Sequence, residues 1–289
     1  LMAFVRGRAQ IVLPFATTGI AATLLKGGRT VHSGFKLPVP ILDTSVSNLR
    51  LRSNDADILR EAALIIIDEA TMLYKDGLRC IDRVLRELMV DERPFGGKVF
   101  LLGGDFRQTL PVVTRGTRND VIENCIKSSP LWHQFRQLTL SANMRSEGQQ
   151  AHNDWLLQVG EGTVAHIARF RDPDIMEIPQ SMIVNGNLID IIFGENLNGM
   201  SDEELSRRVI LVSTNAQALD INREIVRRLN GDPTIYYSAD SVVSEDENDA
   251  LNFPMEFLNE QTPSGMPPHV LLVKPGAVIM LLRNLNAKK

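Results

Sequence analysis

The sequence predicts an α/β protein in which parallel sheets are covered by helices. Short apolar segments alternate along the chain with segments of helical periodicity, an order that is typical of parallel sheets with helical crossovers. Some of these apolar segments, such as residues 63–67, are hydrophobic on both faces, as interior strands of a parallel sheet are. The length of 289 residues corresponds to about two domains of ordinary size.

The first half of the chain provides the clearest elements. We predict strands at residues 10–15, 63–67, 98–102 and 136–140. A helix that starts at Thr17 or Thr18 runs to Lys26 and ends at Gly27 and Gly28, because glycine favours the C-terminal end of a helix. A second helix follows the strand at residues 63–67. Its apolar positions recur at helical spacing and form one stripe, made of Leu78, Ile81, Leu85 and Leu88.

The second half of the chain has a weaker pattern. Helices are predicted at residues 151–159 and 216–229, with a strand at 209–212 between them. After Gly231 short strands replace this alternation, and residues 269–273 and 277–282 predict a hairpin. We therefore expect a first α/β domain at residues 1–140, part of a second at 141–230, and a small β-rich module at 231–289.

Composition excludes several classes of protein. Hydrophobic residues make up 44% of the chain and charged residues 23%, which excludes wholesale disorder. The two cysteines, Cys80 and Cys125, exclude a disulfide framework and favour a reducing, intracellular compartment. No apolar run approaches the roughly 20 residues of a membrane helix. We also expect no secretory signal at residues 1–10, which lack its long apolar core.

Charge is distributed unevenly along the chain. The net charge is −4, yet residues 1–60 hold eight Lys or Arg and three Asp or Glu, a net charge of +5. Residues 229–273 hold no Lys or Arg and eight Asp or Glu. A basic body with one acidic segment can bind a polyanion, and the acidic segment itself is typical of a solvated loop.

Two adjacent carboxylates are the strongest local signal for chemistry. Asp68 and Glu69 follow the predicted strand at residues 63–67, at the edge where open α/β sheets bind ligands. Asp68 can hold Mg²⁺, and Glu69 can polarise a water that attacks a γ-phosphate. The alternative is that these acidic residues cap a helix.

Two further positions suit phosphate chemistry. Gln108 follows the third predicted strand and a glycine pair, Gly103 and Gly104, and it can act as a γ-phosphate sensor. Arg145 follows the fourth predicted strand and can act as an arginine finger. The alternatives are an ordinary glycine turn and a surface ion-pairing arginine.

A third group of residues is suited to bind phosphate groups. Thr18 and Gly19 open a helix after the first strand, and His32 lies at the start of a later segment. Hydroxyl groups and free backbone N–H groups bind phosphates, and a histidine can stack on or bond a nucleotide. The alternatives are an N-cap for the threonine and a buried, satisfied histidine. The sequence holds no dinucleotide fingerprint, zinc spacing or hydrolase elbow.

Together these motifs resemble the PIF-type DNA helicases of superfamily one, in the branch found also in Helitron transposons. Residues 16–22 and 27–38 resemble helicase motif Ia and its extension, 68–70 resemble the Walker B motif, and 96–98 with 103–113 resemble motif III. Residues 129–132 and 143–145 resemble the start of a second motor domain. Later segments fit the rest of the family pattern, namely 213–215, 220–222, 237–241, 256–259, 265–269 and 278–285.

The resemblance implies a RecA-like P-loop NTPase motor that uses ATP and Mg²⁺ for 5′-to-3′ translocation on single-stranded DNA and for duplex unwinding. Its implied partners are single-stranded DNA and duplex junctions, with no membrane. It further implies roles in DNA repair, recombination and telomere maintenance, in the nucleus or alternatively the mitochondrion. By residue, it assigns Asp68 to the metal, Glu69 to the water, Gln108 and Arg145 to the γ-phosphate, and Thr18, Gly19 and His32 to the DNA path.

The sequence also departs from the family. No Gly-x-x-x-x-Gly-Lys-Thr/Ser loop occurs in it, and in the family this Walker A loop lies just upstream of residues that resemble 1–8. The family's motifs V and VI have no counterpart either, so we expect a helicase core clipped at both ends. Thr71 stands where the transposon branch often has proline. The alternatives are a catalytically dead, single-strand DNA-binding remnant of a transposon helicase and an unrelated nucleoside-phosphate hydrolase.

Overall fold

The computed structural model describes residues 1–113, 115–164, 175–194, 197–242, 253–262 and 266–281. The chain divides into two compact units, Leu1–Glu177 and Ile178–Lys289. The domain borders predicted near residues 140 and 230 stay predictions. Among the described helices, none is long and apolar enough to cross a membrane.

A four-stranded parallel sheet forms the centre of the first unit. Its strands are β1 (Val12–Ala16), β2 (Arg29–Thr30), β3 (Leu64–Asp68) and β4 (Phe100–Leu102). Their order across the sheet is β2-β1-β3-β4. Ala16 lies beside Thr30 and Asp68, and Ile67 lies beside Leu102, so the carboxyl ends of all these strands reach the same edge. The predicted strands at residues 10–15, 63–67 and 98–102 are thereby confirmed.

Helices of the first unit accompany this sheet. Those described are α1 (Met2–Arg6), α2 (Gly19–Thr23), α3 (Val31–Phe35), α4 (Asn54–Glu61), α5 (Lys75–Met89), α6 (Arg118–Asn124) and α7 (Gln150–Glu161). Short 3-10 helices lie at Ala70–Met72, Pro94–Gly97, Ile126–Ser128 and Pro130–Gln134. The apolar stripe predicted for α5 is confirmed, because all four of its side chains are buried. The helix predicted to run to Lys26 ends earlier, at Thr23.

The core of the first unit lies between the sheet and its helices. Phe15 of β1 and Ile65 and Ile67 of β3 are buried against Phe35 and the stripe of α5. Each such side chain contributes about 1.5–3 kcal/mol by leaving water. The β-branched isoleucines also favour the extended backbone of β3. Apolar burial therefore fixes the sheet, and its carboxyl edge carries the polar residues.

One predicted strand of this unit is wrong. Residues 136–140 form no strand, and Leu138 and Leu140 are 74% and 98% exposed. A strand needs a hydrogen-bonding neighbour, and β4 pairs only with β3 among the described strands. The apolar pattern of residues 136–140 is therefore not sufficient to place them in the sheet.

The second unit is built mainly from helices. The described elements are α8 (Leu188–Phe193), α9 (Asp202–Ser206), α10 (Asn215–Arg228), β5 (Thr234–Tyr237), α11 (Met255–Glu260) and β6 (Val270–Val273), with short 3-10 helices at Gln180–Met182 and Leu197–Gly199. A small core joins Ile189, Phe193, Leu197, Leu205 and Leu229. The helices predicted at residues 151–159 and 216–229 are confirmed as α7 and α10.

Two strand predictions for the second half of the chain are wrong. Residues 209–212 form no strand and are largely exposed. β6 pairs antiparallel with β5, more than 30 residues earlier, rather than with residues 277–282. Residues 277–281 form no strand, and residue 282 lies outside the described residues, as do residues 243–252 of the acidic segment. The turn at residues 274–276 suggested a local hairpin between β6 and the residues after it. Instead β6 pairs with β5, whose residues also favour an extended backbone.

A lysine between α4 and β4 provides a test of this packing. The ammonium group of Lys98 donates to the carbonyl oxygens of Arg60 and of Ala62, the latter at 3.0 Å, and so caps the end of α4. We expect Lys98→Met to lower the free energy of unfolding by about 1–3 kcal/mol, because two carbonyl groups lose their donor. Urea denaturation measures the change, and Lys26→Met, at an exposed position, is the control. Equal stability of the two variants would contradict the capping role.

Candidate functional site

All predicted site residues except Arg145 follow strands of one sheet. Thr18 and Gly19 follow β1, His32 lies just after β2, Asp68 ends β3, and Gln108 lies in the loop after β4. Because the strands are parallel, these residues leave the sheet at the same edge, which we call the carboxyl edge. We call Thr18, Gly19 and His32 the DNA-type residues, and they lie at the β2–β1 side of this edge. We call Asp68, Glu69 and Gln108 the phosphate-type residues, and they lie at its β3–β4 side. The roles assigned to them stay predictions.

Glu69 has an unusual backbone conformation. Its φ and ψ are 52° and 37°, in the left-handed region that few residues other than glycine adopt. Hydrogen bonds from both sides hold this turn. The Glu69 N–H donates to Asp68 Oδ1 at 3.1 Å, and the Ala70 N–H donates to the Gly103 carbonyl at 2.8 Å. The Thr17 hydroxyl donates to the Glu69 carbonyl at 2.8 Å. Conformations of this kind cost about 1–3 kcal/mol and are concentrated at functional sites.

The glycine pair lets the loop after β4 approach the carboxylates. A Cβ atom at Gly103 would lie 3.2 Å from Asp68 Oδ1, and one at Gly104 would lie 3.0 Å from Thr71 Cγ2. The Gly103 N–H donates to the Ile67 carbonyl at 2.8 Å, which continues the pairing of the two strands. The absence of side chains at these two glycines thus allows the loop to lie close to the Asp68 carboxylate and the Thr71 side chain.

The loop that carries Gln108 is fixed by its neighbours. The Asp105 carboxylate accepts hydrogen bonds from the Arg107 backbone and Nε, both at 3.0 Å. The Arg107 side chain, and after it the Arg107 N–H, hold the pKa of Asp105 below its usual value. Arg107 also lies 3.6 Å from Glu161 at the end of α7. Gln108 itself is exposed, and its N–H donates to the Asp105 carbonyl at 3.0 Å. The loop therefore presents Gln108 from a constrained turn.

Aromatic packing also anchors this loop to the core of the first unit. The Phe106 ring lies edge-on to Trp132, with centroids 5.4 Å apart, and the Lys127 ammonium lies 4.0 Å from its centroid. Both rings are half-buried against the core of the first unit. Trp132 thus packs against the core.

Thr71 is a positioning residue that sequence reasoning missed. Its side chain is 1% exposed, and its hydroxyl donates to the Thr109 carbonyl at 3.0 Å. The Tyr74 hydroxyl donates to the Val112 carbonyl at 2.5 Å and ties down the far end of the loop. In the sequence Thr71 was only a departure from proline. The available signal was a hydroxyl two residues after the paired carboxylates, which proline cannot supply.

The residues assigned to the DNA path have different local roles. Thr18 is the N-cap of α2, because its hydroxyl oxygen accepts from the Ala21 N–H at 3.2 Å, as one of the alternatives stated. Gly19 is exposed, and a Cβ there would meet no atom within 4 Å. Its φ lies outside the left-handed region, so packing and backbone geometry leave glycine unexplained at this position. His32 is half-buried, and burial lowers the pKa of its imidazole.

Arg145, unlike the other predicted site residues, follows no described strand of the sheet. Its side chain is exposed, its N–H donates to Asn143 Oδ1 at 2.9 Å, and it forms no ion pair with a described residue. The prediction that it follows a strand of the sheet is wrong, because residues 136–140 form none. Its role as an arginine finger stays a prediction.

The chain resembles known helicases in sequence and in fold. Residues 1–169 match the PIF1-like helicase family, and residues 256–289 match the 2B domain of the DNA helicase Pif1. The chain is 24% identical over 285 residues to the ATP-dependent DNA helicase PIF1 of Candida albicans, and this alignment covers 94% of this chain and 28% of that protein. It is 36% identical over 118 residues to the ATP-dependent DNA helicase Pif1 of a Psychrobacter strain, and that alignment covers 40% of this chain and 18% of the Psychrobacter protein.

Two solved structures share the fold. The Pif1 helicase of Candida albicans superposes with a TM-score of 0.57 at 21% identity, covering 94% of this chain and 55% of that one. Pif1 of Bacteroides bound to single-stranded DNA superposes with a TM-score of 0.54 at 20% identity, covering 94% of this chain and 56% of that one. The chain thus spans about half the length of these structures and less than a third of the curated relatives named above. Because the family match covers more than half of its residues, the chain belongs to the PIF1-like helicase family and has the family's RecA-like α/β fold.

Proposed function

We propose that this chain is part of an ATP-dependent DNA helicase that couples ATP hydrolysis to 5′-to-3′ translocation on single-stranded DNA and to duplex unwinding. The observation that carries the proposal is the carboxyl edge, where phosphate-type and DNA-type residues leave neighbouring strands of one sheet. Family membership supports the same activity. A structural relative, Pif1 of Bacteroides, binds ADP-AlF3 and single-stranded DNA together.

The β3–β4 side of the edge would act on ATP. Glu69 would orient a water for attack on the γ-phosphate and accept its proton. Gln108 would donate to a γ-phosphate oxygen, and Arg145 would approach the same group from its exposed segment. Restraint of Glu69 by its backbone hydrogen bonds supports this role, because a general base must hold its position relative to the water.

The donor set fits Mg²⁺ bound together with a nucleotide. Among the described residues, no three His, Cys, Asp or Glu side chains gather into a metal site. Mg²⁺ is commonly held by one or two carboxylates together with phosphate oxygens and water, so Asp68 alone is an adequate protein ligand. The ion would neutralise charge on the phosphates, while Asp68 would hold it at the end of β3.

The basic first 60 residues would bind the DNA backbone. Five of their cations have no acidic partner within 4 Å among the described residues, namely Arg6, Arg8, Lys26, Arg50 and Arg52. Arg29 and Lys36 are both paired with Asp55 at 3.0 Å and are less available. Burial lowers the pKa of the His32 imidazole in the absence of DNA. We also propose, on the family resemblance alone, DNA junctions as partners, roles in repair, recombination and telomere maintenance, and a nuclear or mitochondrial location.

The dependence on a phosphate-binding loop gives a first prediction. We expect residues 1–289 alone to hydrolyse ATP slowly, because Asp68 and Glu69 are anions and the sequence holds no Gly-x-x-x-x-Gly-Lys-Thr/Ser loop to bind the β- and γ-phosphates. A fusion that places such a loop ahead of Leu1 should restore DNA-stimulated phosphate release. Rapid Mg²⁺-dependent hydrolysis by residues 1–289 would show that the roles are assigned wrongly. A fusion that binds DNA but stays inactive would favour the alternative of a DNA-binding remnant.

Substitutions in the active fusion separate the catalytic roles. Glu69→Gln should retain nucleotide binding and lose turnover by about 10²-fold or more, since it removes the base and changes little volume. Arg145→Ala should slow hydrolysis by about 10³-fold if Arg145 is the finger. Glu61→Gln, at an exposed position at the end of α4, is the control and should leave turnover unchanged. Normal turnover of Glu69→Gln would remove Glu69 from the mechanism.

DNA binding by residues 1–289 gives a further prediction. Affinity for a labelled single-stranded oligonucleotide should fall as salt rises, with a log–log slope no steeper than about −3.5 for five phosphate contacts. Gly19→Ala should weaken binding several-fold while changing the free energy of unfolding by less than about 0.5 kcal/mol, because its Cβ meets no atom of the protein. Fluorescence anisotropy and urea denaturation measure the two effects. Salt-independent affinity would contradict the electrostatic part of the proposal.

A further inference from the structure

Thr17 lies between the two groups of residues on the carboxyl edge. It directly follows β1 and directly precedes Thr18, on the side assigned to DNA. Its hydrogen bonds, however, run to the end of β3. The Thr17 hydroxyl donates to the Glu69 carbonyl at 2.8 Å, and the Thr17 N–H donates to the Asp68 carbonyl at 3.3 Å. Thr17 thus joins the strand that leads to the DNA-type residues with the turn that carries both carboxylates.

Local structure does not account for the Thr17 hydroxyl. The N-cap of α2 is Thr18, whose own hydroxyl oxygen accepts from the Ala21 N–H. A threonine at this point commonly bonds a nearby backbone group, whereas Thr17 reaches a residue 52 positions away in sequence. Its bond is therefore a tertiary contact between two loops of the edge.

The acceptor of this bond is the strained residue of the site. Hydrogen bonds from neighbouring groups hold Glu69 in its left-handed conformation. Two of the holding groups, the Asp68 carboxylate and the Gly103 carbonyl, belong to the phosphate side of the edge. On the side of the DNA-type residues, the Thr17 hydroxyl restrains Glu69 by donating to its carbonyl oxygen. A displacement at Thr18 and Gly19 would be transmitted to Glu69 through a single covalent neighbour and one hydrogen bond.

We propose that Thr17 is a positioning residue that couples DNA contact at Thr18 and Gly19 to the backbone conformation of Glu69. The inference rests on the proposed function and extends it to communication between the two ligands. When DNA binds, the ordered Thr17 holds the Glu69 carbonyl more firmly and keeps the carboxylate in its productive position. By thermodynamic linkage, a nucleotide that orders Glu69 strengthens DNA binding to the same extent.

Amide hydrogen exchange in residues 1–289 tests the coupling without requiring ATP hydrolysis. In the unsubstituted chain, saturating single-stranded oligonucleotide should slow exchange of the Glu69 and Ala70 amides, resolved by nuclear magnetic resonance. Thr17→Val keeps the volume and removes the donor, so the DNA-induced slowing should fall by about fivefold, the effect of one ordinary hydrogen bond. DNA affinity should change by less than about twofold, because no phosphate contact is removed. Thr17→Ser should restore the response.

A matched variant and a second readout separate coupling from simple loss of structure. Thr23→Val removes a hydroxyl from the exposed end of α2, where it donates to the Ile20 carbonyl at 2.7 Å, and should leave the Glu69 response intact. If Thr17→Val does not fold, Thr17→Ala removes the same donor and carries the same expectation. In an ATP-hydrolysing fusion, Thr17→Val should lower the DNA-stimulated kcat by about fivefold with KM for ATP unchanged.

The outcomes distinguish this inference from the function on which it rests. Failure of the unsubstituted chain to bind the oligonucleotide would overturn the proposed DNA binding and the coupling together. Binding without any change at the Glu69 and Ala70 amides would overturn the coupling alone. An equal response of Thr17→Val and the unsubstituted chain would do the same.

Discussion

The parallel pairing of β1 with β3 is the interaction on which the candidate site depends. The two strands run in register from Val12 beside Leu64 to Ala16 beside Asp68, so their following loops leave the sheet side by side. Burial of Phe15, Ile65 and Ile67, rather than any polar contact at the edge, stabilises this register. A slip of one residue would turn Ile65 and Ile67 to the opposite face of the sheet and shift the carboxylates along β1.

Elements with strong local signals were predictable from the sequence. β3 has a run of β-branched residues, and α5 has an apolar stripe at helical spacing. The local sequence therefore predicts a strand for the first and a helix for the second without information about their neighbours. Residues 136–140 and β6 show the limit of such reasoning. Whether an apolar segment becomes a strand, and with which partner, depends on an available strand edge. For β6 that edge comes from a distant part of the chain, β5.

Some features of the candidate site were likewise predictable from the sequence, and others were not. The positions of Asp68, Glu69 and the glycine pair at the carboxyl edge were predictable, because each follows an apolar segment that forms a strand of the parallel sheet. The left-handed turn at Glu69 and the hydrogen bonds of Thr17 and Thr71 were not, because they depend on distances between strands. The position of Arg145 was mispredicted since it relied on a strand that does not form.

The outer edge of β4 has a consequence for the isolated chain in solution. Phe100–Leu102 pairs with β3 on one side, and no described strand pairs with it on the other. Unpaired N–H and C=O groups of such a strand can pair with a strand of another molecule. The neighbouring Val99 and the detached Leu138 and Leu140 add exposed apolar surface. Self-association through this edge is therefore the characteristic hazard for the 289-residue chain at high concentration, and a single charged side chain at Val99 would counter it.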